Sequence, residues 1–316
     1  MEKRKLGNSD LLVAPIAFGG NVFGWTANEK MSFDLLDRFA EAGFNFVDTA
    51  DVYSRWNSGV GGESEIIIGK WMKQRGNRDK MIIATKGGMD MGQGKTDVTR
   101  KYLIKAAEDS MKRLQVDCID LYQTHKDDES VPVEEALEAY AQLIKQGKIR
   151  YVGASNFSAA RLSEALEASK KNGLPRYETL QPLYNLCDRE VFEKELEPLC
   201  VKHNIGVINY YSLAAGFLTG KYRSKDDLKK SARGGKVSQY MNERCSRILK
   251  AVDEVAATHS TTNASVAIAW LLQRSSVTAP IASATNLQQL GSLLESVTIK
   301  LSSEDVNLLN TASDWK

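Results

Sequence analysis

Short runs of β-branched and apolar residues alternate eight times with longer segments whose apolar residues recur at helical spacing, and few folds accommodate that pattern. The runs fall at 15–19, 45–48, 81–85, 119–123, 151–154, 178–181, 206–210 and 277–281. The helical segments between and after them fall at 30–41, 64–74, 100–114, 132–145, 159–170, 190–203, 263–273 and 287–295. Eight strand–helix units predict an α/β fold with a parallel sheet, most simply one closed (β/α)8 TIM barrel domain spanning residues 1–316. Before the first unit, KRKLG and LLVAP flank the polar turn Asn8-Ser9-Asp10 and predict an N-terminal β-hairpin. Two extra helices are predicted at 243–258 and 303–312. The rival is a Rossmann domain, which wants GxGxxG straight after an early strand. The first strand here runs into Phe18-Gly19-Gly20-Asn21-Val22-Phe23-Gly24, which does not match, and no GxxxxGK[ST] phosphate loop occurs.

Local signals agree with these boundaries. Pro132 is placed at a helix start, where its missing N–H leaves nothing unpaired. Ser158 is expected to cap the helix after it, and Gly147 to follow the end of EEALEAYAQLIKQ at positive φ. The stretch Ser212 to Tyr240 breaks the regular spacing and is rich in lysine and glycine. It reads either as a solvated excursion or as a basic flap over an anionic ligand. Its place after the seventh strand favours the flap, because barrel phosphate sites gather near strands seven and eight.

Composition removes several classes of function. Lys plus Arg is 42 and Asp plus Glu is 40, a net charge of +2, which gives no support for a general nucleic-acid binder. No run of 18 apolar residues is present, so no membrane span is read. The opening MEKRKLGNSD is not followed by an apolar stretch with a cleavage site, so no secretory leader is read and a cytoplasmic location is expected. Cys118, Cys187, Cys200 and Cys245 form no CxxC pair, and His125, His203 and His259 are the only histidines. No metal site is expected from these spacings. A monomer is the default, since no coiled-coil heptad stands out.

The polar residues at the strand ends carry the chemistry. Asp48 ends the second strand, Tyr53 lies in the loop after it, Lys86 follows the third, and His125 lies just beyond the fourth. Ser155 and Asn156 follow the fifth, Gln181 ends the sixth, Tyr211 and Ser212 follow the seventh, and Ser283, Ala284 and Thr285 follow the eighth. A barrel gathers all of these around one mouth, at the face where barrel chemistry occurs. A tyrosine alone, with a pKa of about 10, is a poor acid–base group at neutral pH. A neighbouring ammonium favours the phenolate, a carboxylate holds that ammonium in place, and a neutral histidine can donate to a carbonyl oxygen. Such a set protonates an oxyanion as hydride arrives from a cofactor.

FVDTADVY, IIATKGG, CIDLYQTH, KIRYVGASNFS, LQPLYNL and YYSLAAGFLTGKY, in that order, resemble the segments of an aldo-keto reductase across nearly the whole chain. The resemblance implies a (β/α)8 barrel that uses a nicotinamide cofactor, NADPH or NADP+ more often than NADH. It implies that Tyr53 is the general acid in reduction and the base in oxidation, with Lys86 lowering its pKa, Asp48 paired to Lys86, and His125 orienting the substrate carbonyl. Ser155, Asn156 and Gln181 are expected on the nicotinamide carboxamide and Tyr211 beneath its ring. Gly20, Asn21 and Asp48 are expected as further cofactor contacts. Ser212, Leu213, Gly216, Leu218 and Lys221 belong to the pyrophosphate segment, and Ser283, Thr285 and Gln289 to the adenosine phosphate end. The bottom-up reading agrees: the glycines of AAGFLTGK let backbone approach a diphosphate, and Lys221 adds a point charge.

The segment IASATNLQQL carries neither arginine nor lysine, where many relatives have one, which weakens the expected preference for NADP; the charge of its 2′-phosphate would suit Arg233 or Lys236 if the flap closes. Trp25 and Trp56 are expected to line the substrate pocket with Tyr53 and His125. The expected activity is NADPH-dependent reduction of a small aldehyde or ketone to an alcohol. The alternatives are a nicotinamide-binding redox sensor or accessory subunit, and an NAD(P)-dependent alcohol or sugar dehydrogenase.

Overall fold

The computed structural model describes residues 2–232 and 234–315. A hairpin, β1 (Arg4–Lys5) and β2 (Leu12–Val13), precedes the barrel and pairs antiparallel as expected. The barrel strands are β3 (Ala17–Gly19), β4 (Phe46–Asp48), β5 (Ile82–Gly87), β6 (Ile119–Thr124), β7 (Ile149–Ser155), β8 (Thr179–Gln181), β9 (Gly206–Val207) and β10 (Ile281–Ala282). They form one parallel sheet in the order β10-β3-β4-β5-β6-β7-β8-β9. Backbone bonds from Thr278 N to Val207 O (2.8 Å) and Ile281 N to Asn209 O (2.9 Å) join its two ends. The expected (β/α)8 architecture is therefore present.

The helices are α1 (Glu29–Glu41), α2 (Arg55–Ser58), α3 (Glu63–Arg75), α4 (Arg100–Leu114), α5 (Val133–Lys145), α6 (Ala159–Asn172), α7 (Glu197–His203), α8 (Gly234–Val237), α9 (Glu243–Thr258), α10 (Asn263–Leu272), α11 (Leu287–Glu295) and α12 (Ser303–Ala312). Side-chain caps start many of them. Asn28 accepts from Met31 N, Ser158 from Arg161 N, and Asn242 from Cys245 N. Each bond satisfies an N–H that the first helical turn leaves unpaired.

Period-two alternation explains where the core ends and the site begins. Phe46, Ala84, Leu121, Ile208, Ala279 and Ile281 pack inside the barrel with Leu6, Leu11 and Val13 from the hairpin segment. The hairpin thus plugs the N-terminal end with apolar side chains. Residues of the opposite parity, such as Val47, Ile83 and Tyr122, pack outward into the core shared with the helices. Two residues beyond Phe46, Ala84 and Leu121, on the same inward face, stand Asp48, Lys86 and Gln123. The barrel lining changes from apolar to polar towards the C-terminal face.

The structure corrects several boundaries. The eighth strand is Ile281–Ala282 and not 277–281, because Pro280 has no N–H to donate and interrupts the ladder. The seventh is confined to Gly206–Val207, and Tyr210 rejoins Leu183 as an isolated bridge. The helix expected over 190–203 is a π turn at Phe192–Leu196 followed by α7. Pro198, at the start of α7, cannot supply an i→i−4 bond and clashes with the carbonyl four residues back, so the preceding turn widens. Pro132 is the N-cap of α5, with Val133 the first helical residue. The segment 212–240 is not structureless. It carries 3-10 turns at Ala214–Thr219, Lys225–Lys230 and Ser238–Tyr240, together with α8.

Candidate active site

Asp48, Lys86 and Tyr53 come together at the mouth of the barrel. Lys86 is fully buried, and its Nζ donates to Asp48 Oδ2 (2.7 Å), Thr49 O (2.7 Å) and Tyr53 Oη (3.2 Å). Burial works against its charge, but Asp48 and then Tyr53 more than offset it, so the ammonium is held above its ordinary value. The Tyr53 loop is pinned on both sides: Ser54 donates to Phe23 O (2.6 Å), and Tyr53 O accepts from Gly62 N (3.2 Å).

His125 follows β6, its backbone N bonded to Gly87 O at 2.9 Å, and its ring lies 6.0 Å from that of Tyr53. Burial, and then the charge of Lys86, push His125 well below its ordinary value. The imidazole is therefore neutral at neutral pH and able to donate through one nitrogen.

Gln123 is a site residue that the strand-end reading does not supply. It is fully buried, and its Nε2 donates to Asp48 Oδ1 (3.3 Å). Gln181 Nε2 donates to the same oxygen (2.9 Å) and to Gln123 Oε1 (3.3 Å). The signal that finds Gln123 is its place two residues before His125 and two after the inward-facing Leu121. Tyr210 is a second addition: its hydroxyl donates to Asn156 Oδ1 (2.9 Å).

Behind the tetrad, Asp51 is buried with Oδ1 unpartnered among the described residues. Glu65, also buried, accepts from Arg113 Nε at 2.6 Å and from the hydroxyl of Thr85. Desolvation, then the neighbouring charge of Glu65, push Asp51 up to about 8. Below about pH 4 its carboxyl is protonated both folded and unfolded. Between there and about 8 only the unfolded chain ionises, so this residue lowers stability progressively as pH rises through that window, and no further above it. Asp51→Asn is expected to gain melting temperature over the wild type across that same window, with the curves converging in acid. Melting curves that run parallel from pH 4 to 9 would contradict the assignment.

The residues expected at the cofactor fall into linked groups. Ser155 Oγ donates to Gln181 O (3.0 Å), and Asn156, at φ +55°, donates to His125 O (2.8 Å) and Ser155 Oγ (3.1 Å). Gly20 packs where an added Cβ would lie 2.7 Å from Ser64 Oγ and 3.2 Å from Asp48 O. Asn21 Oδ1 accepts from Ser283 Oγ (2.7 Å), and Gln289 Oε1 accepts from Thr285 N (2.9 Å) and Thr285 Oγ1 (3.0 Å). Tyr211 is at φ +55°, rare for an aromatic residue, and Lys236 Nζ lies 5.9 Å from its ring centroid. After Leu213 at φ −107°, the backbone is left-handed again at Ala214, Ala215 and Gly216 (φ +48°, +56° and +101°). Ser212 Oγ is committed to Ile281 O (2.8 Å), and Leu218 is fully buried in the outer core. Leu213 is half-buried and Lys221 exposed. Arg233 lies outside the described residues.

At the mouth, Trp25 and Trp56 meet edge to face (5.5 Å), and Trp56 lies 6.0 Å from the Tyr53 ring. Trp56 is 52% exposed. No cluster of metal-ligating side chains occurs among the described residues, and none of their helices is long and apolar enough to cross a membrane.

Comparison with known proteins places this geometry. The model of the aldo/keto reductase family matches residues 15–314. The chain is 33% identical to the uncharacterized oxidoreductase YrpG of Bacillus subtilis, covering 98% of this chain and 95% of that protein. It is 33% identical to the aldo-keto reductase YhdN of the same organism (93% and 87%) and 30% identical to an aryl-alcohol dehydrogenase [NADP(+)] of Phanerodontia chrysosporium (95% and 82%). These matches run the length of the barrel, from the strand before Asn21 to the helix after the last strand, and the chain belongs to the aldo/keto reductase family.

Proposed function

We propose that this protein reduces a small aldehyde or ketone, preferably an aromatic one, to the alcohol with NADPH, and that Tyr53 delivers the proton. The observation that carries this reading is the hydroxyl of half-buried Tyr53 at 3.2 Å from a fully buried Lys86 ammonium. The aromatic preference is supported by the run of rings from His125 through Tyr53 and Trp56 to Trp25. The Phanerodontia relative is by name an NADP+-dependent aryl-alcohol dehydrogenase.

The residues present fit a nicotinamide dinucleotide. Left-handed backbone at two alanines is unfavourable by about 1–2 kcal/mol per residue, and such strain persists at ligand clamps. The left-handed turn at Ala214, Ala215 and Gly216, with the N–H groups of Ala214 and Gly216 bonded to Tyr211 O (2.7 Å) and Leu213 O (2.8 Å), would let the backbone approach the pyrophosphate closely, and Lys221 and Lys236 would add charge. Ser155, Asn156 and Gln181 would hold the carboxamide, and Tyr211 would lie beneath the ring. When bound, the cofactor would supply hydride for the carbonyl carbon. Neutral His125 donates to the carbonyl oxygen and aligns it for that transfer. Tyr53 Oη passes its proton to that oxygen as negative charge develops there, and the phenolate is held by Lys86. Asp48 keeps the ammonium aimed at Tyr53, and solvent returns the proton.

The test is the initial rate of NADPH oxidation with an aromatic aldehyde, with NADH in parallel. Faster turnover with NADPH is expected. Trp56→Ala is expected to raise KM for the aldehyde by about 3–10-fold with kcat little changed, as for loss of a ground-state aromatic contact. No turnover with either cofactor over a range of aldehydes and ketones would remove the reductase reading.

A further inference from the structure

We infer that Gln123 is a positioning residue for the reaction: it orients both the Asp48 carboxylate behind the proton donor and the Gln181 amide in the proposed nicotinamide site. The mechanistic half of this inference rests on the role proposed above for Tyr53.

The three residues share one layer. Asp48, Gln123 and Gln181 come from the second, fourth and sixth barrel strands, and alternate strands fill common layers inside a (β/α)8 barrel. All three are buried, Asp48 and Gln123 fully. A carboxylate in such a place needs its oxygens saturated by donors. Lys86 takes Asp48 Oδ2, and the two glutamine amides take Oδ1. Because Asp48 Oδ1 demands N–H groups, the amide orientations are fixed by chemistry. Gln181 has two N–H bonds, one to Asp48 and one to Gln123 Oε1, so its own Oε1 is the atom turned to accept from a cofactor carboxamide.

The fold makes room for this arrangement. Gly153 of β7 stands opposite both Gln123 and Thr179 in register. An added Cβ there would lie 2.1 Å from Thr179 Oγ1 and 3.1 Å from Gln123 Cγ. A side chain at position 153 would clash with Thr179 and crowd the Gln123 stem. The charged and titratable groups facing Asp48 are Lys86 directly, with Tyr53 behind it and His125 at the end of β6. Removing Gln123 therefore weakens support for the ionised carboxylate without removing a residue that touches substrate.

Gln123→Met keeps the size and removes both hydrogen-bonding groups. Gln123→Glu keeps the shape and the acceptor but sets a second carboxyl against Asp48. Both are compared with the wild type in three measurements: melting temperature of the cofactor-free protein against pH, kcat for aldehyde reduction against pH, and NADPH affinity by fluorescence. A hydrogen bond to a charged group lost from a chain of this size lowers melting temperature by about 2–5 °C. That deficit is expected for Gln123→Met at pH 7, where Asp48 Oδ1 loses one of its two amide donors. Gln123→Glu shows a larger deficit at pH 7 and recovers in acid. kcat falls tenfold or more in both, and NADPH binds more weakly.

A Gln123→Glu deficit no larger than that of Gln123→Met and independent of pH, or kcat profiles that superimpose on the wild type, would overturn the inference. If the wild type reduces no carbonyl, the function proposed above fails. The melting arm then decides the place of Gln123 alone: a Gln123→Glu deficit that shrinks in acid sustains it, and a constant one removes it.

Discussion

Replacing Tyr53 with phenylalanine is expected to lower carbonyl reduction by about 10²–10⁴-fold, the range that a positioned acid contributes. Cofactor affinity is expected to stay within about twofold, because loss of one hydroxyl removes no uniform binding contact. The change is local. Tyr53 N and O bond to Ala50 and Gly62 through the backbone, and Trp56 and His125 pack against its ring, so the loop keeps its anchors. The 3.2 Å bond from Lys86 is lost, and Lys86 retains Asp48 and Thr49 O. Stopped-flow and steady-state rates with NADPH and an aromatic aldehyde, beside a fluorescence titration with NADPH, measure the two effects separately. Full activity in this variant would remove Tyr53 as the donor. Equal loss of activity and affinity would instead show that the hydroxyl holds the cofactor site together.

Most of this site is legible in the sequence because strands count by twos. Once Phe46, Ala84 and Leu121 face inward, Asp48, Lys86 and Gln123 do so as well, and the C-terminal ends of parallel strands meet at one mouth. Gln123 escapes such a reading because an uncharged amide within Leu-Tyr-Gln-Thr looks like strand filler. Its meaning appears only when Asp48 and Gln181, 75 residues before it and 58 after it, are placed against it. Asp51 escapes it for a similar reason: burial comes from the loop, but the charges that act on it arrive on α3 and α4. Ala214 and Ala215 carry no sequence signal for positive φ, since alanine prefers the right-handed helix. Boundaries moved where proline removes a donor, at Pro280 and Pro198, and where a loop folds on itself, as at α2 within SRWNSGVGGES.

Lys86→Met is the substitution expected to damage both stability and activity. Removing one partner of a buried ion pair leaves the other charge uncompensated, a loss of about 3–5 kcal/mol. Here Asp48 would retain only the two amide donors, and Thr49 O would lose the ammonium that now caps it. Methionine fills nearly the same volume, so a cavity does not confuse the comparison. Denaturant unfolding is expected to show the deficit at neutral pH. Adding Asp48→Asn should restore much of it, because the double variant removes both charges while the new side-chain carbonyl still accepts from Gln181 and Gln123. Activity should not return with stability. Without the ammonium, Tyr53 loses the adjacent positive charge that stabilises its phenolate, and reduction is expected to fall by at least about 10²-fold in both variants. In the reverse direction, alcohol oxidation by Lys86→Met should rise steadily with pH towards the ordinary tyrosine value of about 10, since the phenolate must then form unaided. A single variant as stable as the wild type would show that Lys86 and Asp48 do not depend on each other. A double variant that regained activity with stability would assign the loss to misfolding and leave the chemistry to other groups.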